Sequence, residues 1–267
     1  MMRLSSDSPA GILRDVFTDA RRQGRAAFIG YLPSGYPTKS DSAELMLSLA
    51  SYADVIEVGI PFSDPMMDGP VIQDAGSVAL NAGFRVKDSI ESVRTITQCG
   101  GRSVVMSYWN PILQYGPEKY AEELAEAGGL GAIIPDLLPE ESSRWALVCE
   151  KLGMAPIYLV APSTNPERMA RTVGAGDGFV YAASHMGVTG AQDSVSSDAR
   201  NLVERVREYT DLPVAVGLGV SNGQQAAAIA EYADGVIVGS ALIRAAADGR
   251  ESLCALAKEL NEGVRGV

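Results

Sequence analysis

Short runs of apolar residues alternate along this chain with longer stretches whose apolar residues recur every three or four positions. The runs are 27–32 (AFIGYL), 55–59 (VIEVG), 103–108 (SVVMSY), 131–135 (GAIIP), 156–160 (PIYLV), 178–182 (GFVYA), 213–217 (PVAVG) and 235–239 (GVIVG). They are continuous rather than alternating, the pattern of strands covered on both faces. The stretches between them read as helices. One runs to Tyr52 from a cap at Thr38 or Ser40. A second, 86–98, carries Val86, Ile90, Val93 and Ile96 on one face. The segment 117–127 opens with Pro117, which suits a first turn. Segments 139–152 and 165–173 end at Gly153 and Gly174, as helices that stop on a glycine do. Further helices are predicted at 197–209, 221–232 and 241–247, the last extended by 250–260, and an extra one over about 8–23 precedes the first strand.

Eight strand–helix units in strict alternation imply a parallel sheet. A closed eight-unit barrel needs about 250 residues, and this chain has 267 with no Pro- or Ser-rich linker. The reading is a single (β/α)8 TIM barrel spanning 1–267, with an extra N-terminal helix. An open doubly wound sheet with a second domain is the alternative.

Composition narrows the function. Acidic residues outnumber basic ones 33 to 22, giving a net charge of −11. A polyanion such as DNA or RNA would be repelled, and no basic stretch offsets this. A single phosphate is still admissible, because backbone N–H groups hold one without Lys or Arg. Charges interrupt every apolar stretch of the N-terminus, and no run approaches the ~20 apolar residues of a membrane helix. Cys99, Cys149 and Cys254 are widely spaced with no CxxC pair, so neither a disulfide framework nor a zinc site is expected, and a cytoplasmic location fits. His185 is the sole histidine. Multi-histidine metal sites are thereby excluded, and no GxSxG motif accompanies it to suggest a hydrolase.

In such barrels the chemistry sits at the C-terminal ends of the strands and in the loops that follow. Glu57 lies among apolar residues inside the second strand, where a carboxylate is costly unless partnered or used. Burial would raise its pKa and make it a proton shuttle near neutral pH; a structural ion pair is the other reading. Asp64 and Asp68 follow in a Pro- and Gly-rich loop, where aspartate also serves as a turn residue. The sixth strand ends at Tyr181 and leads into Ser184-His185-Met186-Gly187-Val188-Thr189-Gly190, either a mobile or anion-binding loop or an ordinary turn. Glycine turns follow strands seven and eight, at Gly217-Leu218-Gly219 and Gly239-Ser240, each before a helix. Two such turns in the last two units fit a phosphate site. The lysines, Lys39, Lys87, Lys119, Lys151 and Lys258, all fall in predicted helices or their starts, which disfavours imine chemistry. What remains is carboxylate acid–base work on a phosphorylated small molecule, with no metal or organic cofactor called for.

The segments IEVGIPFSDPMMDGPVIQ, YAASHMGVTGA, VGLGVS and ADGVIVGSALI, together with MSYWNPILQYG and IIPDLLPEES, closely resemble the tryptophan synthase α subunit family. The likeness covers nearly the whole chain in order, and the EVGxPxSDPxxDGP signature is long and specific. It implies a lyase of tryptophan biosynthesis that cleaves indole-3-glycerol phosphate to indole and glyceraldehyde 3-phosphate by a retro-aldol reaction. By the same resemblance, Glu57 is the acid–base glutamate, Asp68 polarises the indole N–H, and Tyr181 stands beside the glutamate. Gly190, Gly219, Gly239 and Ser240 bind phosphate, Tyr31 lines the indole pocket, and Thr189 lies in a mobile loop.

The implied partner is a β subunit in an α2β2 assembly, docked on the barrel mouth at loop 61–70, Asn110–Pro111 and Asp136–Leu137. Met66-Met67 and His185-Met186 depart from the family's usual residues in the loops used for closure and β contact. A stand-alone lyase releasing free indole, and a non-catalytic barrel that regulates a partner, are the alternatives; Glu57 and Asp68 argue against the latter.

Overall fold

The computed structural model describes residues 5–183, 192–217 and 219–266, with backbone alone over 192–197. The strand segments are β1 (Ala27–Pro33), β2 (Val55–Gly59), β3 (Ser103–Met106), β4 (Gly131–Ile133), β5 (Ala155–Ile157), β6 (Leu159–Val160), β7 (Val180–Ala183), β8 (Val214–Gly217) and β9 (Gly235–Val238). All pair in parallel, in the order β5-β4-β3-β2-β1-β9-β8-β7-β6. β5 and β6 are two halves of one extended run parted at Tyr158, whose hydroxyl bonds that of Ser142 at 2.6 Å. The chain itself thus joins the two ends of the sheet, and the barrel closes with eight strands' worth of backbone. The expected fifth strand, 156–160, is present but broken at its centre.

The helices are α1 (Pro9–Arg22), α2 (Lys39–Ala50), α3 (Pro70–Asn81), α4 (Val86–Gln98), α5 (Trp109–Tyr115), α6 (Pro117–Glu126), α7 (Ser143–Leu152), α8 (Pro166–Ala175), α9 (Gln192–Arg207), α10 (Gly223–Ala230), α11 (Ser240–Ala247) and α12 (Arg250–Arg265). α3 and α5 are not among the elements expected from the sequence. α3 buries only Ala75, Gly76 and Ala79, so its buried face carries no large apolar residue to register as a period. α5 has seven residues, too few for a period to show. Its Pro111 sits at the third position, where the missing N–H has no intrahelical partner to lose. No helix among the described residues is long and apolar enough to cross a membrane.

Strand parity divides the core in two. Ala27, Ile29, Val55, Val104, Ile133, Ala155, Ile157, Ala215 and Ile237 point into the barrel. The alternate residues, such as Phe28, Ile56, Val58, Val105 and Val236, pack outward under the helices. α1 plugs the N-terminal end of the barrel: Leu13, Val16 and Phe17 join the inner cluster, and the Phe17 ring lies 5.3 Å from that of Phe179. Ser8 caps α1 by accepting the Gly11 N–H at 3.1 Å, with Pro9 in the first turn.

The register of β1 against β2 is pinned at the same end. Asp54 accepts the Phe28 N–H at 2.8 Å and takes both Arg25 guanidinium nitrogens at 2.6 and 2.8 Å. That register sets Tyr31 beside Glu57 at the opposite, C-terminal end.

Candidate active site

The inward parity that buries Ala27 and Ile29 on β1, and Val55 on β2, carries Tyr31 and Glu57 to the barrel's C-terminal mouth. Met106, Leu159, Tyr181, Gly217 and Ile237 arrive by the same rule from the other strands. Together they floor a cavity of about 530 Å³, walled by Met66, Met67, Asp68, Gly69, Ile72, Pro135, Ala183, Gly219, Gly239 and Ser240. Of the residues singled out from the sequence, Tyr31, Glu57, Asp68, Tyr181, Gly219, Gly239 and Ser240 thus line one space. Thr189, Gly190 and His185 lie outside the described residues.

Glu57 is 1% exposed, and among the described residues its Oε2 has no hydrogen-bond partner. No arginine pairs with it among the described ion pairs, so the structural reading of this carboxylate finds no support. Burial, reinforced by the nearby Asp68, pushes its pKa up to about 8. Asp68 is half-buried in the loop after β2. Burial raises its pKa to about 6, outweighing the smaller downward pull of the Tyr108 hydroxyl. The two carboxylates therefore prefer different states near neutral pH, Glu57 protonated and Asp68 ionised. Burial chiefly, and the carboxylates secondarily, push Tyr31 and Tyr181 up, so both phenols stay neutral.

Two glycines make room for these phenols. A Cβ on Gly59 would lie 2.3 Å from the Tyr31 hydroxyl, and one on Gly217 would lie 2.6 Å from that of Tyr181. In the sequence Gly59 goes unmarked, and Gly217 stands out only as part of a glycine turn. The pattern that reveals them is simple: each stands on the inward parity at the end of its strand, next to a strand that offers an inward tyrosine.

The remaining wall is backbone. Gly219 sits in the loop after β8 with φ +65°, a left-handed conformation that favours glycine. The following helix, α10, starts only at Gly223 with its own cap, Asn222. Gly219 is therefore a loop residue rather than a helix start. Gly239 caps α11 and Ser240 opens it, with no side-chain cap hydrogen bond. The first N–H groups of α11 are thus left for an anion at the cavity wall, where the helix dipole also favours negative charge.

Tyr108, just past β3, adjoins the Asp68 loop and escaped notice in the sequence. It is buried, and its hydroxyl accepts the Met67 N–H at 2.8 Å. Of the residues expected at a partner surface, Met66 (82%) and Met67 (55%) are exposed, as are Asn110 and Asp136, whereas Pro111 and Leu137 are buried.

A family model described as tryptophan synthase alpha chain matches residues 17–265. The chain belongs to that family. It is 57% identical over 256 residues to the tryptophan synthase alpha chain of Mycobacteroides abscessus, covering 96% of this chain and 98% of the relative. The Mycobacterium marinum alpha chain is 54% identical over 257 residues, covering 96% of each. Among solved structures, the open form of tryptophan synthase from M. tuberculosis superposes with a TM-score of 0.90 at 51% identity, covering 97% of this chain and 99% of that one. The tryptophan synthase a2b2 complex of Pyrococcus furiosus does so with a TM-score of 0.83 at 33% identity, covering 91% and 99%. The family and the barrel expected from the sequence are both present.

Proposed function

We propose that the mouth of this barrel cleaves indole-3-glycerol phosphate into indole and glyceraldehyde 3-phosphate, as the α subunit of an α2β2 tryptophan synthase. The observation that carries the residue assignment is Glu57: a buried carboxyl with one oxygen unpartnered among the described residues, flooring the cavity that Asp68 and the α11 N-terminus also line. Residues 1–267 are taken as one catalytic domain. A cytoplasmic location is assigned as well, in keeping with the free Cys99, Cys149 and Cys254.

The chemistry follows from the two protonation states. With a pKa of about 8, Glu57 holds a proton at neutral pH and donates it to the indole ring carbon that bears the side chain. The positive charge that forms spreads to the ring nitrogen, whose N–H is hydrogen-bonded by ionised Asp68. Charge placed where charge develops lowers the barrier. Glu57, now a carboxylate, takes the proton of the adjacent side-chain hydroxyl. The carbon–carbon bond breaks, its electrons restore the indole ring, the hydroxyl carbon becomes the aldehyde, and Glu57 is protonated again. Tyr31 and Tyr181 flank the glutamate and exclude water. Gly219, Gly239, Ser240 and the undescribed Gly190 receive the phosphate.

The β subunit would dock on the mouth, where Met66 and Met67 are exposed, and order the loop that bears Asp68. Loop closure excludes water and completes a site. The test is steady-state indole release by the purified chain, with and without its cognate β subunit. Low release alone and a rise of at least about tenfold with the partner, worth about 1.4 kcal/mol of barrier, are expected. High release unchanged by the partner would favour a stand-alone lyase, and no release in either state would favour a non-catalytic barrel.

A further inference from the structure

The loop that carries Asp68 has little to hold it. Met66 and Met67, its largest side chains beside Phe62, face solvent rather than a core. Its backbone is tied by Gln73, whose Nε2 donates to the Asp68 carbonyl at 2.8 Å and to that of Pro65 at 3.4 Å. Those bonds fix the main chain and leave the carboxylate unguided.

One side chain from a different βα unit reaches both. Tyr108 follows β3, is 4% exposed, and stacks its ring 5.3 Å from Phe62 at the start of the loop. Its oxygen accepts the Met67 N–H. That bond holds the backbone one residue from Asp68 and leaves the phenolic proton to be donated. Tyr108 and Asp68 line one small pocket with Ser107 and Pro135, and the phenol draws the Asp68 pKa down. Tyr108 is itself anchored from the next unit: the Trp109 N–H donates to Asp136 Oδ1 at 2.8 Å.

We infer that Tyr108 is a positioning residue for the lyase reaction, a strut from the β3 end that fixes both the backbone and the carboxylate of Asp68 over the indole site. The inference rests on the role of Asp68 given above. A phenol suits the task because it accepts from an amide and donates to a carboxylate through one atom while staying neutral; burial holds its own pKa up at about 12. The other groups that face Asp68 cannot replace it. Glu57 from β2 repels its charge, and Tyr31 from β1 and Tyr181 from β7 act on it through space. Asp136 acts on Tyr108, not on Asp68 directly.

The experiment compares four forms of the full chain, each with its β subunit: wild type, Tyr108→Phe, Asp68→Asn and the double variant. kcat and KM are measured against pH. Phenylalanine keeps the ring against Phe62 and removes only the hydroxyl. The expected result for Tyr108→Phe is a kcat lower by about tenfold or more, the scale of a misplaced catalytic group, with KM within about threefold. The acid limb of the kcat profile moves to higher pH by about one unit, because a hydrogen bond to the charged form has been removed. In the Asp68→Asn background the same substitution changes kcat less than about twofold, since the group it positions has lost its charge. A 13C carboxyl titration of Asp68 gives a readout independent of turnover, and its midpoint should rise in Tyr108→Phe. An unmoved acid limb and midpoint, or an equal kcat loss in the Asp68→Asn background, overturns the inference. Full turnover by Asp68→Asn alone would instead strike down the role of Asp68, and this inference with it.

Discussion

Replacing Glu57 by glutamine should disable the enzyme and abolish a pH-dependent loss of stability, and the second effect can be sized from the structure. Turnover is expected to fall by about 10² or more, the usual loss for an acid–base group, with binding of a substrate analogue retained. The stability effect comes from the buried carboxyl. Its pKa stands at about 8, against an ordinary value of 4.5. The folded state therefore holds a proton that the unfolded chain releases, and the stability this carboxyl confers is fully present below pH 4.5 and lost as pH climbs towards 8. Between pH 5.5 and 7.5, linkage gives a loss of about 2.5 kcal/mol for the wild type that a glutamine, which does not titrate, escapes. Any constant difference between Glu and Gln, such as the amide meeting the unpartnered oxygen's site, cancels when the two pH values are compared. The assay is urea unfolding of both proteins at both pH values. The wild type should lose ground to Glu57→Gln by about 2.5 kcal/mol on going to pH 7.5. A difference between the two proteins that stays flat to within about 0.5 kcal/mol would show that Glu57 is ionised in the folded state, and the protonated-donor mechanism would fall.

Two further outcomes test the walls of the site. In Gly239→Val the new Cβ would sit 3.4 Å from the Tyr31 ring, and its methyl groups would cover the α11 N–H groups. Calorimetry with indole propanol phosphate and its dephosphorylated form should show at least a tenfold loss, about 1.4 kcal/mol, for the first and little for the second; equal losses would count against a phosphate site there. In Gly217→Ala the added methyl meets the Tyr181 hydroxyl at 2.6 Å, so turnover should drop by about tenfold, as for a displaced group. Adding Tyr181→Phe, which removes the atom the methyl strikes, should recover part of it, and a fully active Gly217→Ala would place the phenol elsewhere.

Much of this protein is legible in one dimension. The eight continuous apolar runs and the helices between them are set by local periodicity, and a parallel sheet follows from their alternation. Glu57 stands out because a carboxylate inside an apolar run is costly, a fact about neighbours in sequence. The glycine turns at Gly219 and Gly239 announce close backbone approach by composition alone. Other features exist only once the barrel closes. α3 packs on small residues and α5 spans seven, so neither has a period to read; both form on tertiary packing, α3 against α11 and β1, α5 against α4 and α6. At the break in the fifth strand, Tyr158 bonds Ser142, sixteen residues away. Gly59 and Gly217 matter because phenols from neighbouring strands occupy the space of their missing side chains. Tyr108 reaches Met67 across 41 residues, from one βα unit to the one before it, a distance over which sequence carries no signal. The pKa values belong to the same class. Glu57 and Asp68 differ in protonation because one is sealed beneath the cavity and the other is only half-buried, and desolvation is a property of the surrounding volume rather than of the chain's order.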